Sequence, residues 1–150
     1  MIENIQNSFK NLRVLITGDT GFKGLWLSEW LLAMGAECYG VGLAPNTDPS
    51  LFNQLGLERR LCHVNLDIRD CSAFKKLVSD VQPDIVFHLA AQPLVRLSYT
   101  IPIETYETNF MGTVHLLDAL RFRFVSTRPK DVWRRGFRNF QNCLCTFGRL

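Results

Sequence analysis

The chain has 150 residues and a formal net charge of +3, and 47% of its residues are hydrophobic. This length accommodates about one domain, and the composition is typical of a globular protein and excludes a mostly disordered chain. No apolar run approaches the ~20 residues that a membrane-spanning helix needs. The polar N-terminus also lacks the apolar segment of a secretory signal. We therefore expect a cytoplasmic protein that does not enter a membrane.

The five cysteines are odd in number and form no Cys-x-x-Cys pair. Without a secretory signal they do not indicate a disulfide framework, and without a second pair they do not indicate a zinc site. We expect Cys38, Cys62 and Cys71 to be buried thiols, since free cysteine packs like a small hydrophobe. The sequence predicts no bound metal.

Short β-rich runs alternate with longer helical patterns over most of the chain. Strands are predicted at Arg13–Thr17, Cys38–Leu43, Leu61–Leu66 and Asp84–Leu89. Helices are predicted at Phe22–Met34, Ser72–Val81 and Ile103–Arg121. This alternation indicates parallel strands joined by right-handed helical crossovers. The predicted fold class is α/β, a Rossmann-like parallel sheet in the order 3-2-1-4, truncated after about four strands.

A glycine-rich turn lies between the first strand and the first helix. Its sequence is Thr17-Gly18-Asp19-Thr20-Gly21-Phe22-Lys23-Gly24, with glycines spaced by three residues. Such glycines permit a tight turn, a close approach of backbone to a pyrophosphate, and close packing of helix on strand. The N–H groups that open the helix then face the phosphates. This arrangement predicts a dinucleotide-binding site, and the alternative is a purely structural turn.

The second strand lacks the acid that usually binds the adenosine ribose. Such an Asp or Glu is expected about 20 residues past the glycines. That position holds Leu43 and Ala44, and the nearest acid downstream is Asp48. No Lys or Arg stands there to hold a 2′-phosphate either. These residues do not distinguish NAD from NADP.

Two further strand ends carry candidate ligand contacts. Asp67 follows the third strand, where it could accept a hydrogen bond from an adenine amino group or act as a helix N-cap, although Asp70 is the better cap candidate. His88 ends the fourth strand and is expected to be a hydrogen-bonded core histidine rather than a catalytic residue. Thr108 and Asn109 could bind strand backbone or cofactor.

These motifs together resemble the extended short-chain dehydrogenase/reductase family. The resemblance rests on TGDTGFKG, LDIRD, HLAAQ and TNFMGT, and it covers about residues 8–120. The longer stretches GDTGFKGLWLSEWL and HLAAQPLVRLSYTIPIETYETNFMGTVHLL, with PSLF between them, resemble the members that act on CDP-glucose as 4,6-dehydratases in bacterial O-antigen (lipopolysaccharide) synthesis. The other interpretation is a sugar-nucleotide epimerase or reductase of the same fold.

The resemblance implies a mechanism and a set of site residues. NAD would accept a hydride from C4 of the sugar, water would leave across C5 and C6, and the hydride would return to C6. The implied pyrophosphate residues are Gly18, Gly21, Phe22, Lys23 and Gly24; adenine would contact Asp67 and Ile68; the riboses would contact Leu89, Ala90, Ala91 and Thr108. The implied sugar-nucleotide residues are Gln92, Arg96 and Ser98. Family members are homodimers at full length.

The charge distribution divides the chain near residue 120. Residues 1–120 carry 9 Lys and Arg against 13 Asp and Glu, whereas residues 121–150 carry 8 against one. We expect 1–120 to be the N-terminal part of an NAD(P)-binding Rossmann-like domain. Residues 121–150 are expected to be an arginine-rich tail unrelated to the family, out of frame or disordered. The alternative is a basic, aromatic tail that binds nucleic acid or another polyanion, which we consider the weaker interpretation.

The chain lacks the catalytic pair that the resemblance implies. Family members use a Tyr-x-x-x-Lys pair, in which the lysine lowers the pKa of the tyrosine. The three tyrosines, Tyr39, Tyr99 and Tyr106, are followed four residues later by Leu43, Ile103 and Phe110. The sequence therefore identifies no catalytic residue.

We predict that the 150-residue chain does not turn over CDP-glucose. Without the tyrosine base, removal of the C4 hydroxyl proton has no catalyst. Chromatography of a mixture of chain, CDP-glucose and NAD should show no 4-keto-6-deoxy product beyond that of a protein-free control. Product above that control contradicts the prediction.

Overall fold

The computed structural model describes the backbone of residues 8–127 and the side chains of residues 8–121. Four parallel strands form one sheet in the order β3-β2-β1-β4. The strands are β1 (Arg13–Thr17), β2 (Glu37–Gly42), β3 (Cys62–Asn65) and β4 (Ile85–His88). The predicted fold class and strand order are confirmed. Of the predicted tail at 121–150, the structure describes residue 121 and the backbone of residues 122–127, and the rest lies outside the described residues; the boundary at residue 120 stays a prediction.

Helices follow each strand. They are α1 (Phe22–Ala33), α2 (Leu51–Gln54), a 3-10 turn (Leu57–Arg59), α3 (Cys71–Val81), α4 (Val95–Thr100), α5 (Pro102–Tyr106) and α6 (Gly112–Thr127). A π-helical turn at Glu107–Met111 joins α5 to α6. The sequence predicted one helix from Ile103 to Arg121 and did not predict α4. Six residues after a proline are too few to show a helical period, which is why α4 escaped detection.

The sheet is covered on both faces, and β1 shows how the sequence achieves this. Val14 and Ile16 point to one face and Leu15 to the other, and all three are fully buried. The first face packs against α1 and α2 through side chains such as Leu25, Leu31 and Phe52. A continuous apolar strand is therefore stable here because neither face of the strand meets water.

The opposite face of the sheet packs against α3 and α6. Phe74 and Val78 of α3 and Leu116 and Ala119 of α6 are buried against Leu15. Asp70 begins α3, and its carboxylate accepts hydrogen bonds from the N–H groups of residues 72 and 73. The prediction that Asp70 is the better helix cap is confirmed.

The face of α1 that is buried carries Leu25, Ser28 and Leu31, which leaves Trp26 and Trp30 48% and 69% exposed. The expectation that three cysteines are buried is wrong for two of them. Cys38 is buried, but Cys62 is exposed and Cys71 is half-buried. Cys62 lies on β3, an edge strand of the described sheet, so its side chain reaches solvent.

Two further features are absent from the described residues. No helix among them is long and apolar enough to cross a membrane. Within the same residues, no group of three or more His, Cys, Asp or Glu side chains could hold a metal ion.

Replacing Phe74 by alanine should destabilise the fold by about 3–5 kcal/mol, because the fully buried ring leaves a cavity between α3 and the sheet. The same change at Phe110, which is 63% exposed, should cost less than about 1 kcal/mol. Urea unfolding of both variants measures the difference. Equal losses would contradict the described core.

Candidate dinucleotide site

The carboxyl ends of β1 and β4 meet at the glycine-rich turn. Gly18 has a φ of +75°, and a Cβ placed on it would lie 2.7 Å from the backbone nitrogen of Ala90. Only glycine fits both the left-handed backbone and this close approach. The turn therefore lies directly against residues 89–90, which the sequence predicted to lie beside a ribose.

The start of α1 is open. Gly21 is its N-cap residue, and no side chain caps the helix there. A Cβ on Gly21 would meet a single neighbouring atom, the Gly18 carbonyl oxygen at 3.3 Å, so the rest of that space is empty. Gly24 is instead tightly enclosed, since its Cβ would lie 2.7 Å from the Cα of Asp19. The three glycines thus provide a tight turn, an open approach and close helix packing, as their spacing predicted.

A hydrogen-bonded network fixes the ends of β1 and β4. The Thr17 hydroxyl oxygen accepts the N–H groups of Leu89 and Ala90 at 3.1 and 3.2 Å. It lies 2.6 Å from Nδ1 of His88 and donates its proton to that nitrogen, because its acceptor positions are filled. The His88 proton then lies on Nε2, which donates to Thr113 at 3.2 Å.

His88 is therefore a neutral structural histidine, as the sequence predicted. Its pKa is lowered because burial disfavours the charged imidazole. The chain of hydrogen bonds continues from the Thr113 hydroxyl to the carbonyl oxygen of Asn109 at 2.8 Å. This network connects β1, β4 and the helical segment 102–127, so it positions the loop after β4 relative to the glycine turn.

Asn109 and Gln92 hold the loop after β4. The Asn109 side chain accepts the Gln92 backbone N–H at 2.7 Å and donates to the Gln92 carbonyl at 3.0 Å. Asn109 therefore binds the backbone that follows β4, which is one of the two roles that the sequence predicted for it. The Gln92 amide itself donates to Leu94 and Thr105, so its side chain is already engaged within the protein.

The other predicted sugar-nucleotide residues lie on α4. Arg96 is exposed, and the hydroxyl of Ser98 is half-buried and donates to the Val95 carbonyl at 2.6 Å. Ser98 lines an open hollow of about 550 Å³ between α4 and the π-helical turn. The glycine turn is not part of the lining of this hollow. The remaining lining residues are Tyr99, Pro102, Thr105, Tyr106, Asn109 and Phe110.

The end of β3 carries the predicted adenine contacts. The carboxylate of Asp67 accepts hydrogen bonds from the Arg69 guanidinium at 2.6 and 2.9 Å, which hold the pKa of Asp67 below its ordinary value. Ile68 is only 4% exposed, and its carbonyl accepts a hydrogen bond from His115. Ala91 is exposed, and Thr108 is half-buried on the π-helical turn.

The sequence reasoning missed a buried hydrogen bond between an aspartate and a histidine beneath the glycine turn. Asp19 is fully buried, and its carboxylate lies 2.7 Å from Nδ1 of His63 on β3. The one signal in the sequence is that Asp19 is an acid within a glycine turn. Backbone N–H groups make the phosphate contacts at such turns, so a side chain there attracts no attention. Thr17 and Thr113 were also missed, because hydroxyl residues are common and their partners are distant in sequence.

Comparison with known proteins identifies the family. The profile of the GDP-mannose 4,6 dehydratase family matches residues 15–131. The chain belongs to this family. It is 51% identical over 117 residues to the CDP-glucose 4,6-dehydratase of Salmonella typhimurium, covering 77% of this chain and 32% of that protein. The family member described here thus spans about a third of the length of the curated relatives that it matches.

Other relatives share the family or the fold. The GDP-mannose 4,6-dehydratase of Vibrio cholerae is 35% identical over 130 residues, covering 77% of this chain and 33% of that protein. A UDP-glucose-4-epimerase from Stenotrophomonas maltophila, solved with bound NAD, has a TM-score of 0.66 and 29% identity, covering 74% of this chain and 34% of its own. The resemblance found in the motifs is therefore confirmed, and so is the Rossmann-like fold.

Acidification should destabilise this family member through His88. Because the folded state disfavours the imidazolium, the unfolded state binds more protons below about pH 6.5, and the free energy of unfolding falls as pH decreases. His88→Asn keeps an acceptor for Thr17 but cannot titrate there. Urea unfolding from about pH 7.5 to about pH 5 should give a shallower decline in the variant than in the wild type. Identical declines would show that His88 does not carry this dependence.

Proposed function

We propose that the described residues form the dinucleotide-binding part of a nucleotide-sugar 4,6-dehydratase that binds NAD and acts on CDP-glucose. The observation that carries this proposal is the uncapped start of α1, open at Gly21 and lying beside the end of β4. An identity of 51% with a CDP-glucose 4,6-dehydratase supports the substrate class. The resemblance further implies a cytoplasmic enzyme of O-antigen synthesis, a homodimer at full length.

The pyrophosphate of NAD would lie over the first turn of α1. The first N–H groups of a helix lack partners within the helix, and its dipole favours an anion at that end. The exposed ammonium group of Lys23 adds a positive charge on the same turn. The pyrophosphate residues of this proposal are Gly18, Gly21, Phe22, Lys23 and Gly24.

The two ends of NAD would follow the strand ends on either side of β1. The adenine would lie toward Asp67 and Ile68, where Arg69 orients the carboxylate of Asp67 as an acceptor. The nicotinamide ribose would lie toward Leu89, Ala90, Ala91 and Thr108, where Thr17 fixes the backbone. When bound, NAD supplies reversible acceptance of a hydride.

The nucleotide sugar would lie beyond the loop after β4. The guanidinium of Arg96 is exposed and suits a phosphate oxygen, and Ser98 lies at the hollow between α4 and the π-helical turn. Gln92 would act through the loop that it holds, since its amide bonds Leu94 and Thr105. Together these three residues are the proposed sugar-nucleotide contacts.

A sugar-nucleotide epimerase is the second candidate function. The fold similarity to the UDP-glucose-4-epimerase favours it, since the glycine turn and sheet serve both reactions. Its identity of 29% is well below the 51% shared with the CDP-glucose enzyme. Competition between CDP-glucose and UDP-glucose for the chain in the presence of NAD distinguishes the two, and tighter binding of UDP-glucose would favour the epimerase.

Lys23→Glu should weaken NAD binding by at least about tenfold, because it replaces a charge-assisted phosphate contact by repulsion. Lys76→Glu is the matched control, since Lys76 is also exposed but lies on α3. Isothermal titration of NAD into the wild-type chain and both variants measures the dissociation constants.

The control variant should bind NAD as the wild-type chain does. Equal weakening in both variants would indicate a general effect of net charge rather than a contact at α1. Absence of NAD binding by the wild-type chain, with folding verified by circular dichroism, would overturn the proposed dinucleotide site.

A further inference from the structure

The carboxyl group of Asp19 lies buried directly beneath the glycine turn. The residue is fully buried, and Oδ2 lies 2.7 Å from Nδ1 of His63, which donates its hydrogen bond. Oδ1 has no hydrogen-bond partner of normal geometry among the described residues. A buried carboxylate with an unfilled acceptor is costly, so its position within the glycine turn calls for a role.

The side chain of Asp19 lies against the end of β2. Gly40 leaves room for it, because a Cβ there would overlap Oδ2, and a Cβ on Gly42 would lie 3.1 Å from Oδ1. The neighbouring Thr20 hydroxyl donates to the Leu43 carbonyl at 2.9 Å and ties the turn to the same strand end. The glycines of β2 therefore leave room for a carboxyl group at the place where the sequence showed no acid.

The end of β2 is where dinucleotide sites distinguish the two cofactors. An acid there suits the free 2′-hydroxyl of NAD, whereas a basic residue accommodates the 2′-phosphate of NADP. In this chain Leu43 and Ala44 occupy that position and are exposed. Asp48 is exposed on the loop that follows. The side chains of residues 43 and 44 are uncharged and therefore cannot distinguish NAD from NADP by charge.

We propose that Asp19, held in place by His63, supplies the negative charge that makes this site select NAD over NADP. The inference rests on the proposed dinucleotide function and names the group that sets its cofactor preference. A charge enclosed by protein is screened less than one in water, so it repels a 2′-phosphate without touching it. NAD lacks that phosphate and is not repelled in this way.

His63 determines how the charge is held. It lies on β3 and is in ring contact with Phe52 of α2, with centroids 5.2 Å apart. Burial raises the pKa of Asp19, and the hydrogen bond from His63 opposes this rise. His63 is therefore a positioning residue that favours the ionised carboxylate.

The test compares the dissociation constants of NAD and NADP for the 150-residue chain by isothermal titration near neutral pH. The wild-type chain should bind NAD more tightly. Asp19→Asn removes the charge with little change in shape, and it should reduce the ratio of NADP to NAD dissociation constants by about tenfold, mostly through tighter NADP binding. Asp19→Ser removes the charge with a smaller side chain and should change the ratio in the same direction.

Asp48→Asn is the matched control, since it removes an exposed acid from the loop after β2 and should leave the ratio unchanged. The inference is overturned if both Asp19 variants keep the wild-type ratio, or if Asp48→Asn changes it instead. Should both Asp19 variants unfold, a wild-type chain that binds NADP as tightly as NAD overturns it. A wild-type chain that binds neither cofactor overturns the proposed dinucleotide site itself, whereas binding of NAD with an unaltered ratio rejects only the role of Asp19.

Discussion

The contact between Gly18 and the backbone of residues 89–90 is the constraint on which the site depends. β1 lies between β2 and β4, and at its end the chain leaves the sheet and enters α1. A side chain at Gly18 would overlap Ala90, and one at Gly24 would overlap the turn itself. The helix start can therefore approach the strand ends only because these positions lack a Cβ.

The polar groups around this contact are satisfied by side chains that carry little sequence signal. Thr17 accepts two backbone N–H groups of the chain after β4 and donates to His88, which in turn donates to Thr113. Because the network lies in a partly buried region, an unmade bond there would be costly. It fixes the end of β4 relative to the helical segment, and it leaves the start of α1 exposed.

The same region contains an arrangement that costs stability. Asp19 is buried with one oxygen lacking a hydrogen-bond partner, and β2 accommodates it with two glycines, Gly40 and Gly42. Glycines weaken a strand, and a desolvated carboxylate is unfavourable. Local costs of this kind are typical of binding sites, where the position of a charge matters more than stability. The His63 partner reduces the cost without removing the charge.

Local patterns along the chain are sufficient to predict the fold class, the strand order, the glycine turn and the family. Apolar runs such as Arg13–Thr17 and glycines at fixed spacing are local features. Each indicates a strand or a turn without information about distant residues. Which side chains contact each other depends on the packing of the whole sheet and its helices. That packing paired Asp19 with His63, 44 residues apart, and left Trp26 exposed on α1. Such pairings follow from strand register and helix rotation, which a local pattern does not specify.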